Sequence, residues 1–194
     1  MKETADIRIA AEIIRRGGVV IYPTETVYGI GADALSEPAV RRAFAIKKRS
    51  LAMSLAVSSY KMIEDVAICD MAMIRKLLPG PVTVILKKKP VVPDILTAGS
   101  DKVGIRYPDH EISLRLIDLA GTPITSTSAN RSGEPPAREV CEISRAVLHD
   151  VDYVIDGGRC RYGVASTVID LVEMRVLRKG AGYQAWMDVS TDFY

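Results

Sequence analysis

Residues 21–31 read IYPTETVYGIG, a stretch in which an apolar strand leads into a polar turn. The β-branched run Val19–Ile21 predicts the strand, Pro23 stiffens the turn, and Gly29 and Gly31 allow a close return of the backbone. Three hydroxyl groups and one charge stand in the turn: Thr24, Thr26, Tyr28 and Glu25. A plain connection does not need this density of hydroxyl groups, so the turn predicts a loop that faces a ligand.

Strands and helices alternate on both sides of this loop, which predicts an α/β fold. Helices are predicted over Ala5–Arg16, Ser36–Lys47, Asp70–Leu78, Glu111–Ala120 and Glu139–Leu148. Strands are predicted over Val19–Tyr22, Ser54–Val57, Val82–Leu86, Val103–Tyr107, Pro123–Ser126, Tyr153–Ile155, Thr167–Leu171 and Arg175–Arg178. Hairpin-like pairs late in the chain favour a twisted, mixed parallel and antiparallel sheet flanked by helices. We expect a single domain over residues 1–194, with a core at about 8–180 and a short tail at 181–194.

The composition is that of an ordinary soluble globular protein, with 48% hydrophobic and 26% charged residues. We expect a cytoplasmic protein without membrane attachment, because no signal-like segment follows Met1 and no apolar run reaches roughly 18 residues. The cysteines are odd in number and widely spaced, which predicts free thiols in a reducing compartment: Cys69, Cys141 and Cys160. The two histidines lie far apart in sequence, so we expect no protein metal site.

Basic residues are clustered, although the formal net charge is only +2. Residues 41–49 contain five basic side chains and no acid, and Lys87–Lys89 forms a second cluster. Each cluster alone is typical of a solvated surface, whereas several together are consistent with a polyanionic ligand. The charge pattern leaves open whether that ligand is a nucleotide or RNA.

Three familiar motifs fail when they are tested in context. Residues 29–34 match the glycine pattern of dinucleotide-binding proteins, but a polar turn separates them from their strand. The phosphate-binding Walker A pattern is absent from the sequence. Ser58 and Lys61, taken with Ser128–Asn130, imitate two penicillin-binding motifs, but the third motif is missing.

The remaining polar residues fall at the ends of predicted strands, and the ends of strands in α/β sheets commonly form a ligand cleft. They are Thr24–Tyr28, Lys47–Arg49, Arg106, Ser126–Asn130 and Ser166–Thr167. Arg106 lies in an apolar strand, where an unpaired charge is costly. It either pairs with a nearby acid, Asp109 or Glu111, or binds a ligand carboxylate through both arms of its guanidinium group.

These residues belong to longer motifs, and through them the chain resembles the YrdC/Sua5 family, the threonylcarbamoyl-AMP synthases. The motifs cover residues 22–31, Lys47–Arg49, 78–83, 103–108, Ser128–Asn130, 156–158, 163–168 and 176–180, in the order of the family. They extend over roughly residues 8–180. The resemblance implies a YrdC-like fold with a concave, positively charged cleft. It also implies a stand-alone synthase, because the extra modules of longer relatives are missing from this sequence.

The resemblance implies a nucleotidyltransferase reaction in which L-threonine, bicarbonate or CO₂ and ATP give L-threonylcarbamoyl-AMP and pyrophosphate. The product supplies the threonylcarbamoyl group of N6-threonylcarbamoyladenosine at position 37 of tRNAs that read ANN codons. The implied partner is the tRNA threonylcarbamoyltransferase complex, with direct binding of tRNA or double-stranded RNA left open. Mg²⁺ is expected with ATP, held by phosphate oxygens and water rather than by a dedicated protein site.

Residue roles follow from positions that match the family's motifs. Those implied to bind threonine are Thr26, Arg106, Ser126 and Ser166. Those implied to bind ATP are Lys47, Arg49, Ser128, Asn130 and Arg178. Lys47 and Arg49 are also the implied catalytic pair, because they would offset charge on the departing pyrophosphate.

The sequence departs from the family pattern at Met53 and Ser58, where some relatives have a polar side chain and a histidine, so neither is assigned as a ligand.

Two other functions remain open. A non-catalytic module that binds double-stranded RNA or tRNA would explain the basic clusters, but two Phe and one Trp make a poor stacking surface. An enzyme that forms a carbamoyl-adenylate from carbamoyl phosphate would use similar residues.

Overall fold

The computed structural model describes residues 2–48 and 51–190. The helices are α1 Lys2–Arg15, α2 Glu37–Lys47, α3 Tyr60–Val66, α4 Met71–Leu77, α5 Glu111–Ala120, α6 Arg145–Asp150 and α7 Tyr183–Ser190. The strands are β1 Val20–Tyr22, β2 Gly29–Gly31, β3 Ser54–Ala56, β4 Ala67–Ile68, β5 Val82–Lys88, β6 Lys102–Arg106, β7 Ile124–Ser128, β8 Tyr153–Val154, β9 Thr167–Asp170 and β10 Arg175–Arg178.

The strands form one mixed sheet with the order β10-β9-β5-β6-β3-β7-β2-β1-β8, and β4 pairs with β5. The pairs β1–β8, β3–β6 and β5–β9 are parallel, and the other neighbouring pairs are antiparallel. The mixed α/β sheet predicted from the sequence is therefore confirmed.

Strand β7 lies in the middle of this sheet and changes its pairing along its length. Ile124–Ser126 pairs with β3, whereas Thr127 and Ser128 pair with β2. The buried Thr125 hydroxyl donates to the Ile30 carbonyl (2.8 Å) and accepts from the Ala32 amide (3.0 Å), which holds the two halves of the sheet in register. The hydroxyl-rich end of β7 is thus a fixed part of the sheet rather than a loop.

Two hydrophobic cores cover the two faces of the sheet. Side chains alternate between faces along a strand, so Val20 and Tyr22 of β1 point into one core, and Val19 and Ile21 lie in the other. Apolar residues of α1 and α5 pack on the first face. The second face is covered by α2, α3, α4 and α7.

Local sequence signals explain several helix ends. Asp70 caps α4, because its carboxylate accepts a hydrogen bond from the Ala72 amide (2.8 Å). Helix α5 ends at Gly121, whose φ of 73° is the left-handed conformation that glycine adopts without strain. Helix α2 ends at Lys48, which takes the same conformation with φ of 49°.

The structure differs from the sequence-based prediction in four places. Residues 29–31 form β2 instead of a turn. Their glycines lie against the Tyr22 ring, which a Cβ atom at either position would approach to 3.0 Å. The helix predicted over Glu139–Leu148 is divided into a 3₁₀ turn at Val140–Glu142 and α6. Helix α3 and strand β4 were not predicted, although Ser59 caps α3 through the Met62 amide (3.2 Å). The predicted tail contains α7, whose Trp186 and Val189 are buried.

None of the helices among the described residues combines the length and apolarity that a bilayer crossing needs. The three cysteines are free, as predicted.

The central position of β3 gives a stability prediction. Leu55 is fully buried, so Leu55→Ala should lower the free energy of unfolding by about 2–5 kcal/mol. Leu177 on edge strand β10 is 49% exposed, and Leu177→Ala should cost less than about 1 kcal/mol. Urea unfolding followed by circular dichroism measures both values, and equal losses would contradict the central, buried position of β3.

Candidate functional site

A cavity of about 200 Å³ opens where the loop after β1, the end of β7 and the segment before β9 meet. Six of the nine residues predicted as site residues line it: Thr26, Arg106, Ser126, Ser128, Ser166 and Arg178. They lie on five different segments of the chain, so only the folded sheet brings them together. Arg49 lies outside the described residues.

Lys47 and Asn130 lie beside this cavity rather than in its wall. The Lys47 ammonium donates to the Ser128 carbonyl (2.7 Å), the Ser128 hydroxyl (3.3 Å) and the Asn130 side-chain oxygen (2.9 Å). Lys47 is only 3% exposed. The end of α2 is therefore fastened to the end of β7 through Ser128, which does line the cavity.

Arg106 has a buried acidic partner that the sequence did not indicate. One end nitrogen of its guanidinium group pairs with Glu25, and the other donates to the Thr26 hydroxyl (2.9 Å). The two acids considered as partners, Asp109 and Glu111, pair with other arginines instead. Both pairing residues come from the loop after β1, so Arg106 joins β6 to that loop.

Hydrogen bonding within the loop leaves Thr26 with a lone pair for the cavity. The hydroxyl proton of Thr24 goes to the Val27 carbonyl (2.7 Å), and its oxygen accepts from the Thr26 amide (3.1 Å) and the Val27 amide (3.2 Å). The Thr26 hydroxyl lies 2.9 Å from that of Thr24 and accepts from Arg106 (2.9 Å). A hydroxyl oxygen has two lone pairs, so Thr26 can accept one further hydrogen bond, from a ligand.

Ser166 is held from two sides by groups that also line the cavity. Its hydroxyl lies 2.7 Å from the Thr83 hydroxyl, and Arg178 donates to its backbone oxygen (3.0 Å) and to its hydroxyl (3.3 Å). Thr83 was not predicted as a site residue. The sequence feature that could have identified Thr83 is its position in the family motif at 78–83, next to a Pro-Gly-Pro turn.

Tyr28 anchors the neighbouring glycine-rich segment instead of offering its hydroxyl to a ligand. Its hydroxyl donates to the Gly158 carbonyl (2.8 Å) and accepts from the Gly157 amide (3.1 Å). Burial raises the pKa of Tyr28, and burial raises the pKa of Tyr22 to about 12, so both phenols stay neutral at physiological pH.

The two positions that depart from the family pattern have different surroundings. Met53 is buried and lines the cavity. Ser58 does not line it, and its hydroxyl donates to Asp118 instead.

The cavity wall is suited to binding rather than to nucleophilic attack. Among the described residues, the wall contains hydroxyl groups and two guanidinium groups, without a carboxylate, an imidazole or a thiol. No group of three or more acidic, histidine or cysteine side chains in the described part of the chain is arranged to hold a metal ion. Hydroxyls and guanidinium groups bind carboxylates and phosphates well. The positive charge of the cleft stays a prediction, because Glu25 balances one of the two arginines.

Comparisons with known proteins give the family of this chain. The Sua5_yciO_yrdC family model, described as "Telomere recombination", matches residues 12–180. A threonylcarbamoyl-AMP synthase of Pyrococcus abyssi is 44% identical over 173 residues, which are 86% of this chain and 51% of that protein. A Methanocaldococcus jannaschii relative is 44% identical over 169 residues, 84% of this chain and 79% of that protein. This chain thus spans about half the length of the first relative.

A solved structure is similar along most of the chain. The crystal structure of P. abyssi Sua5 complexed with L-threonine matches with a TM-score of 0.86 and 42% identity. The match covers 90% of this chain and 54% of that one.

The buried ammonium of Lys47 gives a second stability prediction. Lys47→Met would remove the hydrogen bonds that the ammonium donates to the Asn130 and Ser128 oxygens, so the free energy of unfolding should fall by about 1–3 kcal/mol. Lys87→Met, on an exposed position of β5, should change it by less than about 0.5 kcal/mol. Urea titration of both variants checks this, and an unchanged midpoint for Lys47→Met would refute the anchoring role.

Proposed function

This chain belongs to the Sua5–YciO–YrdC family, and we propose that it is a threonylcarbamoyl-AMP synthase. It would convert L-threonine, bicarbonate or CO₂ and ATP into L-threonylcarbamoyl-AMP and pyrophosphate. The observation that carries the proposal is the convergence of six residues, predicted to bind threonine or ATP, on one cavity.

Threonine would occupy the part of the cavity between Arg106 and Ser166. The guanidinium group of Arg106 still has N–H groups for the substrate carboxylate, and Thr26 accepts from a substrate donor. Ser126 and Ser166 add hydroxyls on the other side. The threonine complex of the P. abyssi protein supports threonine as the ligand, because the two folds match closely.

The chemistry needs positioning and charge neutralisation more than a nucleophilic side chain. The deprotonated amine of threonine attacks CO₂, or bicarbonate with loss of water, and forms a carbamate. A carbamate oxygen then attacks the α-phosphorus, and the bond to pyrophosphate breaks. Arg178, Lys47 and Arg49 would offset the charge of the phosphates, with Ser128 and Asn130 on the nucleotide side.

Mg²⁺ would accompany the triphosphate as its counter-ion and lower its negative charge. Among the described residues, the cavity wall offers hydroxyl oxygens without a carboxylate, so phosphates and water would supply most of the Mg²⁺ ligands.

We further propose the biological setting that the family implies. The product would pass to the tRNA threonylcarbamoyltransferase complex in the cytoplasm, for modification of position 37 in tRNAs that read ANN codons. Direct binding of tRNA is a separate proposal, supported by the basic clusters.

The direct test is pyrophosphate release from ATP with labelled bicarbonate and threonine. We expect release that depends on both, with label in a threonylcarbamoyl-adenylate. Absence of threonine-dependent release, with salt-sensitive tRNA binding, would favour an RNA-binding module. Activity with carbamoyl phosphate but not with threonine and bicarbonate would indicate a carbamoyl-adenylating enzyme.

Arg106→Lys should raise the KM for threonine at least about tenfold with a smaller change in kcat, because lysine keeps the charge but loses the planar fork. Arg175→Lys, at an exposed position of β10, is the matched control and should behave like the wild type. Steady-state pyrophosphate release measures both constants, and an unchanged KM for Arg106→Lys would contradict the assignment.

Lys47→Met should lower kcat at saturating substrates by about 10²-fold, because it removes the charge that is proposed to offset the departing pyrophosphate from beside the cavity wall. Lys87→Met should retain the wild-type kcat. The assay is run below the unfolding transition of each variant, so that lost stability is not counted as lost turnover. Full turnover by folded Lys47→Met would remove Lys47 from the catalytic residues.

A further inference from the structure

Glu25 is the buried charge of the site that the proposed reaction does not use. It is 1% exposed, one carboxylate oxygen pairs with Arg106, and the other has no hydrogen-bond partner among the described residues. It does not line the cavity, whereas Arg106 does. Glu25 therefore acts on a ligand only through Arg106 and through its charge.

Packing alone does not explain this ion pair. Burial of two charges costs several kcal/mol of desolvation, and apolar side chains of similar volume often stabilise a fold as well or better. The unpartnered oxygen adds a further cost. A carboxylate that is buried here in spite of this desolvation cost points to a role of Glu25 in the adjoining cavity.

The pair has two consequences for the cavity. First, it fixes the guanidinium plane, because one end nitrogen is held by Glu25 and the other by Thr26. Second, it makes the net charge of Arg106 and Glu25 zero. An ion pair of zero net charge, with N–H donors on one side and a lone pair of Thr26 on the other, matches a zwitterion, while Arg178 in the same wall keeps its own positive charge. The carboxylate meets Arg106, and the ammonium or hydroxyl donor meets Thr26.

We propose that Glu25 is a positioning and specificity-determining residue, which orients Arg106 and sets the charge of the site so that it selects a zwitterionic amino acid over an anion of the same shape. This rests on the proposed function and deepens it. The discriminated ligand is a 2-hydroxy acid, in which a hydroxyl replaces the ammonium of threonine. Without the Glu25 charge, the positive Arg106 would attract that anion more strongly and would repel the ammonium of threonine more strongly.

The test compares the binding of L-threonine and its 2-hydroxy acid analogue to wild type and Glu25→Gln, by equilibrium dialysis. By Coulomb's law, a unit charge about 8 Å from the substrate ammonium, at an effective dielectric constant of about 20, changes the affinity for that ammonium by roughly thirtyfold. We therefore expect the preference of the wild type for threonine to fall at least about tenfold in Glu25→Gln. The control Glu37→Gln removes an exposed charge on α2 and should keep the preference.

A folded Glu25→Gln protein with unchanged preference would overturn the proposal. If that variant does not fold, Glu25→Asp decides. It retains the charge but shortens the reach to Arg106, so the preference should persist while threonine binds at least about fivefold more weakly; unchanged binding would refute the positioning role. Failure of the wild type to bind threonine at all would overturn the proposed function instead, so the two failures are distinguishable.

Discussion

The site depends on a buried ion pair between Arg106 and Glu25. Arg106 ends strand β6, and Glu25 lies in the loop after β1, on a distant part of the sheet. A buried guanidinium group must be paired and hydrogen-bonded, and the loop satisfies it with Glu25 and with Thr26. The loop must therefore keep the shape that presents both residues, which Thr24 enforces through its bonds to Val27.

The other walls of the cavity depend on similar cross-connections. Lys47 fastens α2 to the end of β7, and Ser166 is held between Thr83 and Arg178. The bonds of Lys47 to Ser128 and of Thr83 to Ser166 join residues 81 and 83 positions apart in sequence, so the hydroxyl groups are oriented before a ligand arrives. Such preorganisation lowers the entropy cost of binding a small substrate and of aligning it for reaction. The arrangement suits an enzyme that works by positioning two substrates.

Much of this organisation could be predicted from local sequence. The β-branched runs around Val20 and Val84 gave correct strands, and the helix predicted over Asp70–Leu78 is present as α4. The family motifs gave six residues that do meet at one cavity. The acid that pairs with Arg106 was not predictable, because it is 81 residues away along the chain, whereas Asp109 and Glu111 are close in sequence. The buried state of Lys47 and the helix at Tyr183–Ser190 also depend on tertiary packing, which local propensity does not encode.

Arg106, held by Glu25, and the acceptor Thr26 are together proposed to bind the two charged ends of an amino acid. The decisive measurement is a crystal structure with L-threonine and a non-hydrolysable ATP analogue. We expect the threonine carboxylate on the remaining N–H groups of Arg106, a threonine donor about 3 Å from the Thr26 hydroxyl oxygen, and an intact pair with Glu25. Threonine bound away from Arg106, or an Arg106 that has left Glu25 to reach it, would refute this role of the ion pair.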